Sequence, residues 1–253
     1  MNPRRIGVIG LLLSLMLVLA ACGGSNHDAT STAGSDSTSS TSISVAQPVS
    51  LADAYQKLVD QNSFVMTAEL SNLKGSLASL PGITDPTTIK IERTGADRKV
   101  QVLTSSGRAL FKLWRVDGQL YIDFGLGPTK STADASPVKQ LAPLLDADQQ
   151  IINGLAAQNA TFTVTGAAKV NGVQSNIETA RYDLSQAADS IFSTGANTTV
   201  DAKIWVAKEG GYLTKADLTL SESGSGTAAA NGGAHVVIDV TDIGKTPAIK
   251  APL

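Results

Sequence analysis

Alternation of apolar and polar residues, repeated in segment after segment, constrains this chain more than any other feature. Phe64, Met66, Ala68 and Leu70 alternate with Val65, Thr67, Glu69 and Ser71; Ile89 and Ile91 alternate with Lys90 and Glu92. Near the C-terminus Val236, Ile238 and Val240 alternate with His235, Val237 and Asp239. Successive side chains of a strand point to opposite faces, so a period of two buries one face and wets the other. Strands of parallel sheets are covered on both faces and read as continuous apolar runs, so the pattern predicts an antiparallel sheet.

Three turn signals set the register. Asp117-Gly118 suits a two-residue type I′ turn, in which both central residues take positive φ. It would pair Val116 with Gln119, set Phe111 opposite Phe124 and Leu113 opposite Ile122, and gather these four with Leu120 on one face. Trp114 and Tyr121 then share the other face, and Arg115 meets Leu120 near the turn, at a rim. Asn171-Gly172 predicts a second hairpin, with Phe162, Val164, Val170, Val173 and Ile177 on one face and Thr165, Lys169, Gln174 and Glu178 on the other. Around Gly210-Gly211 the apolar sets Val200, Ala202, Ile204, Val206 and Ala216, Leu218, Leu220 are all even-numbered. An odd loop, such as three residues with a glycine bulge, brings them to one face, whereas a two-residue loop would set them on opposite faces.

Helical signals are fewer. Ser50 is placed as an N-cap with Asp53 at the capping-box position, followed by an apolar stripe of Leu51, Ala54, Tyr55, Leu58 and Val59. Residues 138–158 carry Val138, Leu141, Leu144, Leu145, Ile151, Ile152 and Leu155 at helical spacing, and Pro143 and Asp146 predict two pieces with a bend. A third, short helix is expected from Leu184 to about Ser193. The fold class is therefore α+β: a long meandering antiparallel sheet of roughly eight to ten strands whose concave apolar face is covered by a few helices. Helices so short do not close that face, so either the sheet curls on itself or the space between holds something apolar, in a cavity lined from the three hairpins above and from Phe64, Met66, Val236 and Ile238.

The N-terminus decides where such a domain works. Arg4 and Arg5 precede an uncharged run of 16 residues, Ile6 to Ala21, which ends at small residues before Cys22. The run is shorter than the ~20 residues that span a bilayer, and residues 1–21 read as a secretory signal peptide. Leu19-Ala20-Ala21-Cys22 resembles the bacterial lipobox, in which the cysteine is acylated and becomes the new N-terminus. Two acyl chains, at ~0.8 kcal/mol per buried methylene, anchor a protein durably where one does not. Cys22 is the only cysteine, so no disulfide is available and a hydrophobic core must hold the exported domain. Residues 22–49 supply the lipidated cysteine and a Ser/Thr-rich tether too poor in apolar groups to fold. A coil of ~25 residues reaches about 25–30 Å. Residues 50–253 form the domain.

Lipobox, tether, the Ser50 helix, "WRVDGQLYIDFG", "TVDAKIWV" with "LTKADLTL", and the closing "HVVIDVTDIGKTPAIKAP" together resemble the LppX/LprG-type bacterial lipoproteins and, more distantly, the LolA-type carriers. The resemblance implies a LolA-like half-barrel that binds acyl lipid or glycolipid in its cavity and carries it in the cell envelope, anchored outside the cytoplasm through Cys22. It implies the membrane and a lipid ligand as partners, with room for a membrane transporter or acceptor protein, and no cofactor.

Other classes fit less well. A net charge of −2 gives no basic field for nucleic acid, and 4% aromatic residues give no stacking surface for sugars or single strands. The two histidines are His27, in the tether, and His235, in a strand; there is no G-x-S-x-G elbow, no phosphate loop and no metal-ligand spacing. Asp183, Asp201, Asp239 and Asp242 read as solvated charges, and Gly224-Ser225-Gly226 with Gly232-Gly233 as a hairpin connection. The expectation is a binding protein and not an enzyme. The alternative is an anchored protein-interaction or signalling ectodomain with a filled core.

Overall fold

The computed structural model describes residues 47–74, 85–132, 141–157, 160–184, 197–223 and 232–252. The residues read above as a signal peptide, Cys22, most of those read as a tether, Val138, the body of the helix expected after Leu184, and Gly224-Ser225-Gly226 lie outside the described residues.

Eleven strands form one antiparallel sheet: β1 (Ser63–Lys74), β2 (Thr87–Thr94), β3 (Asp97–Leu103), β4 (Ala109–Val116), β5 (Gln119–Asp123), β6 (Thr129–Ser131), β7 (Thr163–Val170), β8 (Val173–Asp183), β9 (Asn197–Ala207), β10 (Leu213–Ser223) and β11 (Gly232–Thr241). Their spatial order is β6-β5-β4-β3-β2-β1-β11-β10-β9-β8-β7. Two meanders thus meet at the β1–β11 pair, and the edges β6 and β7 do not pair, so the sheet stays open. The link from β6 to β7 must travel from one edge to the other. It carries a 3-10 turn (Ala142–Asp146) and helix α2 (Ala147–Leu155), the two pieces expected around Pro143 and Asp146.

Helix α1 (Leu51–Val59) starts as its sequence dictates. Ser50 is extended, its Oγ accepts from Asp53 N–H at 3.1 Å and donates to the Asp53 carboxylate at 2.7 Å. Leu51, Ala54, Tyr55 and Leu58, at the helical spacing, are its buried face. It packs on β10 and α2. The core beneath is continuous: Phe64, Met66, Ala68 and Leu70 of β1 meet Val236, Ile238 and Val240 of β11, then Ala216, Leu218 and Leu220 of β10 and Val200 to Val206 of β9. Each wholly buried side chain of this size contributes ~1.5–3 kcal/mol against exposure.

The registers follow the turns with one correction. Val116 pairs with Gln119, Leu113 with Ile122 and Trp114 with Tyr121, and Asp117 and Gly118 both have positive φ, as a type I′ turn requires. In the β7–β8 hairpin Val170 pairs with Val173, but a bulge between Val164 and Gly166 shifts the pairing, so that Val164 lies opposite Glu178. One extra residue moves every later side chain to the other face. Phe162 and Val164 therefore share the concave face with Glu178, Ala180 and Tyr182, while Ile177 pairs with Trp205 on the outer face. At the third hairpin the even-numbered sets do share a face, Ala202 with Leu218 and Val200 with Leu220. The connection between the strands, Lys208 to Tyr212, is odd in length, as expected. Ala207 N donates to Tyr212 O at 2.8 Å within it, and a bulge follows Leu213.

Phe124 also departs from expectation. Strand β5 ends at Asp123 because that carboxylate accepts from Gly125 N at 2.6 Å and Gly127 N at 3.1 Å, turning the chain out of the ladder. Phe124 is left 51% exposed, against Phe111 at a ring separation of 6.4 Å, and Leu126 is 97% exposed. On the outer face Trp114, Val116 and Tyr121 are not wet: Ile249 of the C-terminal tail closes over them as a second small core.

Candidate functional site

The sequence predicts an open aliphatic hold across the whole concave face. Among the described residues that face is instead filled by α1, the 3-10 turn and α2. Phe64, Met66, Leu113 and Ile122 are buried in the continuous core, and so are Ile204, Val206, Leu218, Leu220, Val236 and Ile238. Phe111 is partly buried against the same core. These residues pack on the helices rather than on empty space, because α1 presents Leu51, Tyr55 and Leu58 and α2 presents Ile151, Ile152 and Leu155 at core spacing.

Space remains at one end. A cleft of about 400 Å³ lies between the start of α1 and the segment after α2, lined by Ser50, Leu51 and Ala52, by Asn153, Ala156, Ala157 and Ala160, and by Phe162 and Tyr182. Its origin is local. Leu155 ends α2, Ala156 turns extended, and the following alanines are too short to fill the gap between helix and sheet. The bulge in β7 is what aims Phe162 inward, where its ring lies 6.4 Å from that of Tyr182 at 54°. Of the predicted lining, Phe162 is the residue that borders this cleft, and Val164 shares its face, partly buried. Ile177 and Phe124 do not reach it, being on the outer face and at the sheet's exposed end.

Two buried polar groups of β8 lie on this face, Tyr182 at the cleft and Glu178 outside its lining. Tyr182 donates its hydroxyl to Leu155 O at 2.5 Å, satisfying one of the carbonyls that the end of a helix leaves unpaired. Burial pushes the Tyr182 hydroxyl well above the usual tyrosine range, so it remains a neutral donor. Glu178, four residues earlier on β8, is wholly buried on the same face. Its Oε2 accepts from Val49 N at 2.8 Å, just before α1, and its Oε1 has no partner among the described residues. Desolvation raises the Glu178 carboxyl above the ordinary range, against the lowering effects of the Val49 amide and Lys57.

Sequence reasoning missed the helix-terminal half of this cleft. The signal was the run Leu155-Ala156-Ala157 with Ala160, small residues where a helix hands over to a strand. The residues weighed for catalysis are on the outside. His235 Nε2 lies 2.8 Å from Asp217 Oδ1 on the outer face; Asp183 accepts from Thr199 at 2.8 Å, Asp201 pairs with Arg181 at 3.5 Å and Asp239 with Lys215 at 3.6 Å. Among the described residues no cluster of His, Cys, Asp and Glu is placed to hold a metal, and no helix is long and apolar enough to cross a membrane.

Among solved structures, the chain is similar to the crystal structure of the Mycobacterium tuberculosis lipoprotein LppX, at a TM-score of 0.44 and 10% identity over 77% of this chain and 95% of that one. It is similar to LprF from Mycobacterium bovis at 0.42 and 11%, over 80% and 94%. A third similar structure is MucB in complex with MucA, at 0.33 and 13% identity, over 79% of this chain and 56% of that one. No protein-family model and no curated protein sequence matches the chain.

Proposed function

We propose that this chain is an extracytoplasmic lipoprotein, held to the membrane by acylated Cys22, that takes up a single acyl chain in the cleft between α1, α2 and β8. The observation that carries the reading is the cleft itself: about 400 Å³ lined mostly by apolar carbon, with Leu51, four alanines and Phe162. That size is at the lower end of the ~300–1,000 Å³ of ligand pockets and suits one chain better than several. Each methylene that leaves water there contributes ~0.8 kcal/mol. Of the polar side chains at the wall, Ser50 caps α1, Tyr182 donates to Leu155 O, and Asn153 Oδ1 accepts from Gln149 Nε2. The reading needs no catalytic step and no cofactor, and carriage of the lipid in the cell envelope is its extension.

A second reading is supported by the continuous core. A concave face filled by α1 and α2 suits an anchored protein-interaction ectodomain, for which the cleft is only a packing defect. Binding of a fluorescent fatty acid or acyl lipid separates the two. The parent should bind, and Ala157→Trp should weaken binding several-fold while the melting temperature stays within a few degrees. Val206→Trp is the contrast: Val206 is core, and overpacking there costs ~1–3 kcal/mol. A parent that binds no acyl probe, or an Ala157→Trp protein that binds as well as the parent, removes the lipid reading.

A further inference from the structure

Three arginines stand side by side across the concave face, away from the cleft. Arg93 of β2 pairs with Arg98 of β3, and Arg98 with Arg115 of β4. Arg93 is in turn opposite Phe64 of β1, whose ring it covers at 5.8 Å, which places the row on the inner face. Like charges directly opposite one another destabilise a sheet, so this ladder calls for anions.

Two come from the segment that crosses the face. Asp148 Oδ2 lies 3.5 Å from Arg93 Nη1 and accepts from the Tyr55 hydroxyl at 2.6 Å; Asp146 Oδ1 lies 3.2 Å from Arg115 Nη2. Arg98, between them, has no carboxylate at ion-pair distance among the described residues. It is 5% exposed, and its Nη1 donates to the carbonyls of Gly95 at 2.7 Å and Asp97 at 2.9 Å. The Asp97 carboxylate is turned to the Asp117 amide at 3.0 Å. The Nε–H groups of both Arg93 and Arg98 are buried without an acceptor. Three guanidiniums thus face two carboxylates, and Asp148 and Asp146, engaged by Arg93 and Arg115, act on Arg98 from beyond ion-pair distance. Burial and the neighbouring Arg93 pull Arg98 below the usual guanidinium range, in keeping with that surplus.

We propose that the Arg93–Arg98–Arg115 ladder binds an oxyanion of the phosphate class, free or as the headgroup of a phospholipid. Planar guanidiniums donate paired N–H groups to such oxygens, and a dianion would compensate Arg98 while supplying the missing acceptors. Access runs through the flanks, since the side chains of Arg93 and Arg115 are 17% and 33% exposed. The proposal does not rest on the acyl cleft, which lies at the other end of α2, ~13 Å of helix away.

The test is thermal unfolding of the full chain in nonionic detergent at constant ionic strength. Chloride is exchanged for inorganic phosphate, or dihexanoyl phosphatidylglycerol or dihexanoylglycerol is added. A saturable rise of about 3 °C or more is expected with an occupied site. A rise with phosphate identifies a free oxyanion as sufficient; a rise with phosphatidylglycerol alone, and not with dihexanoylglycerol, identifies the lipid headgroup. Dihexanoylglycerol reports separately on the acyl cleft. Arg98→Met should lose the anion-dependent rise yet melt no lower than the parent in chloride, because it removes an unpaired charge. If Arg98→Met does not fold, Arg115→Gln, at a partly exposed position, should still diminish the rise. Absence of a rise with both phosphate and phosphatidylglycerol, or a rise unchanged in the folded variants, overturns the proposal.

Discussion

The carboxyl of Glu178 stands on a face where the uncorrected hairpin pattern places Ile177. One bulged residue in β7 reverses the parity, and a charge-bearing side chain is taken out of water with a single backbone donor to hold it. Its pKa is raised above the ordinary value of 4.5 by desolvation. Below that value both folded and unfolded chains carry the proton; as pH rises, the unfolded chain ionises first and stability falls until the folded carboxyl ionises too. Glu178→Gln keeps an acceptor for Val49 N without the charge. It should melt about 2–4 °C above the parent at pH 8, with the gap closing as pH approaches 4.5. Equal melting curves at pH 8 would show that the buried charge is not costly.

At the scale of elements, the strands are joined by close approaches that some residues alone permit. Gly233 of β11 sits opposite Ser221 of β10, and a Cβ there would lie 2.7 Å from Leu220 O, a backbone atom that cannot swing away. Gly233→Ala should therefore destabilise by ~1–3 kcal/mol through overpacking, read as a lower urea midpoint at unchanged slope. A neutral result would mean that the β10–β11 ladder opens freely at this end. The bulge at Thr214 makes the complementary point: its Oγ1 donates to Trp205 O at 3.0 Å and lies 3.0 Å from Ser175 Oγ, so the register shift is secured by hydroxyls rather than by the glycine pair in the loop.

For the whole molecule, the order of strands governs where helices can lie. Because β1 and β11 meet in the middle, the chain must cross the sheet once between β6 and β7, and that crossing lays α2 on the concave face beside α1. The outer face is closed at one end by the tail through Ile249. On the proposed reading, Cys22 is what ties the domain to a membrane. Cys22→Ser should move the protein to the aqueous phase on detergent partitioning, or leave its signal uncleaved; a processed Cys22→Ser protein in the detergent phase would contradict the anchor.

Much of the sheet is legible in the sequence because its causes are local. A period of two sets which side chains of β1 and β11 are buried, Asp117-Gly118 supplies the positive φ that defines one register, and Ser50 caps α1 through an amide three residues on. Long-range partners decided the remainder. Alternation cannot reveal a bulge, since the extra residue in β7 is stabilised by pairing with β8, so Ile177 and Glu178 exchange faces unannounced. Nor can it say whether an apolar face is empty: the leucines that fill this one come from helices whose placement depends on the strand order. The arginine ladder is equally hidden, because Arg93, Arg98 and Arg115 become neighbours only when three strands align.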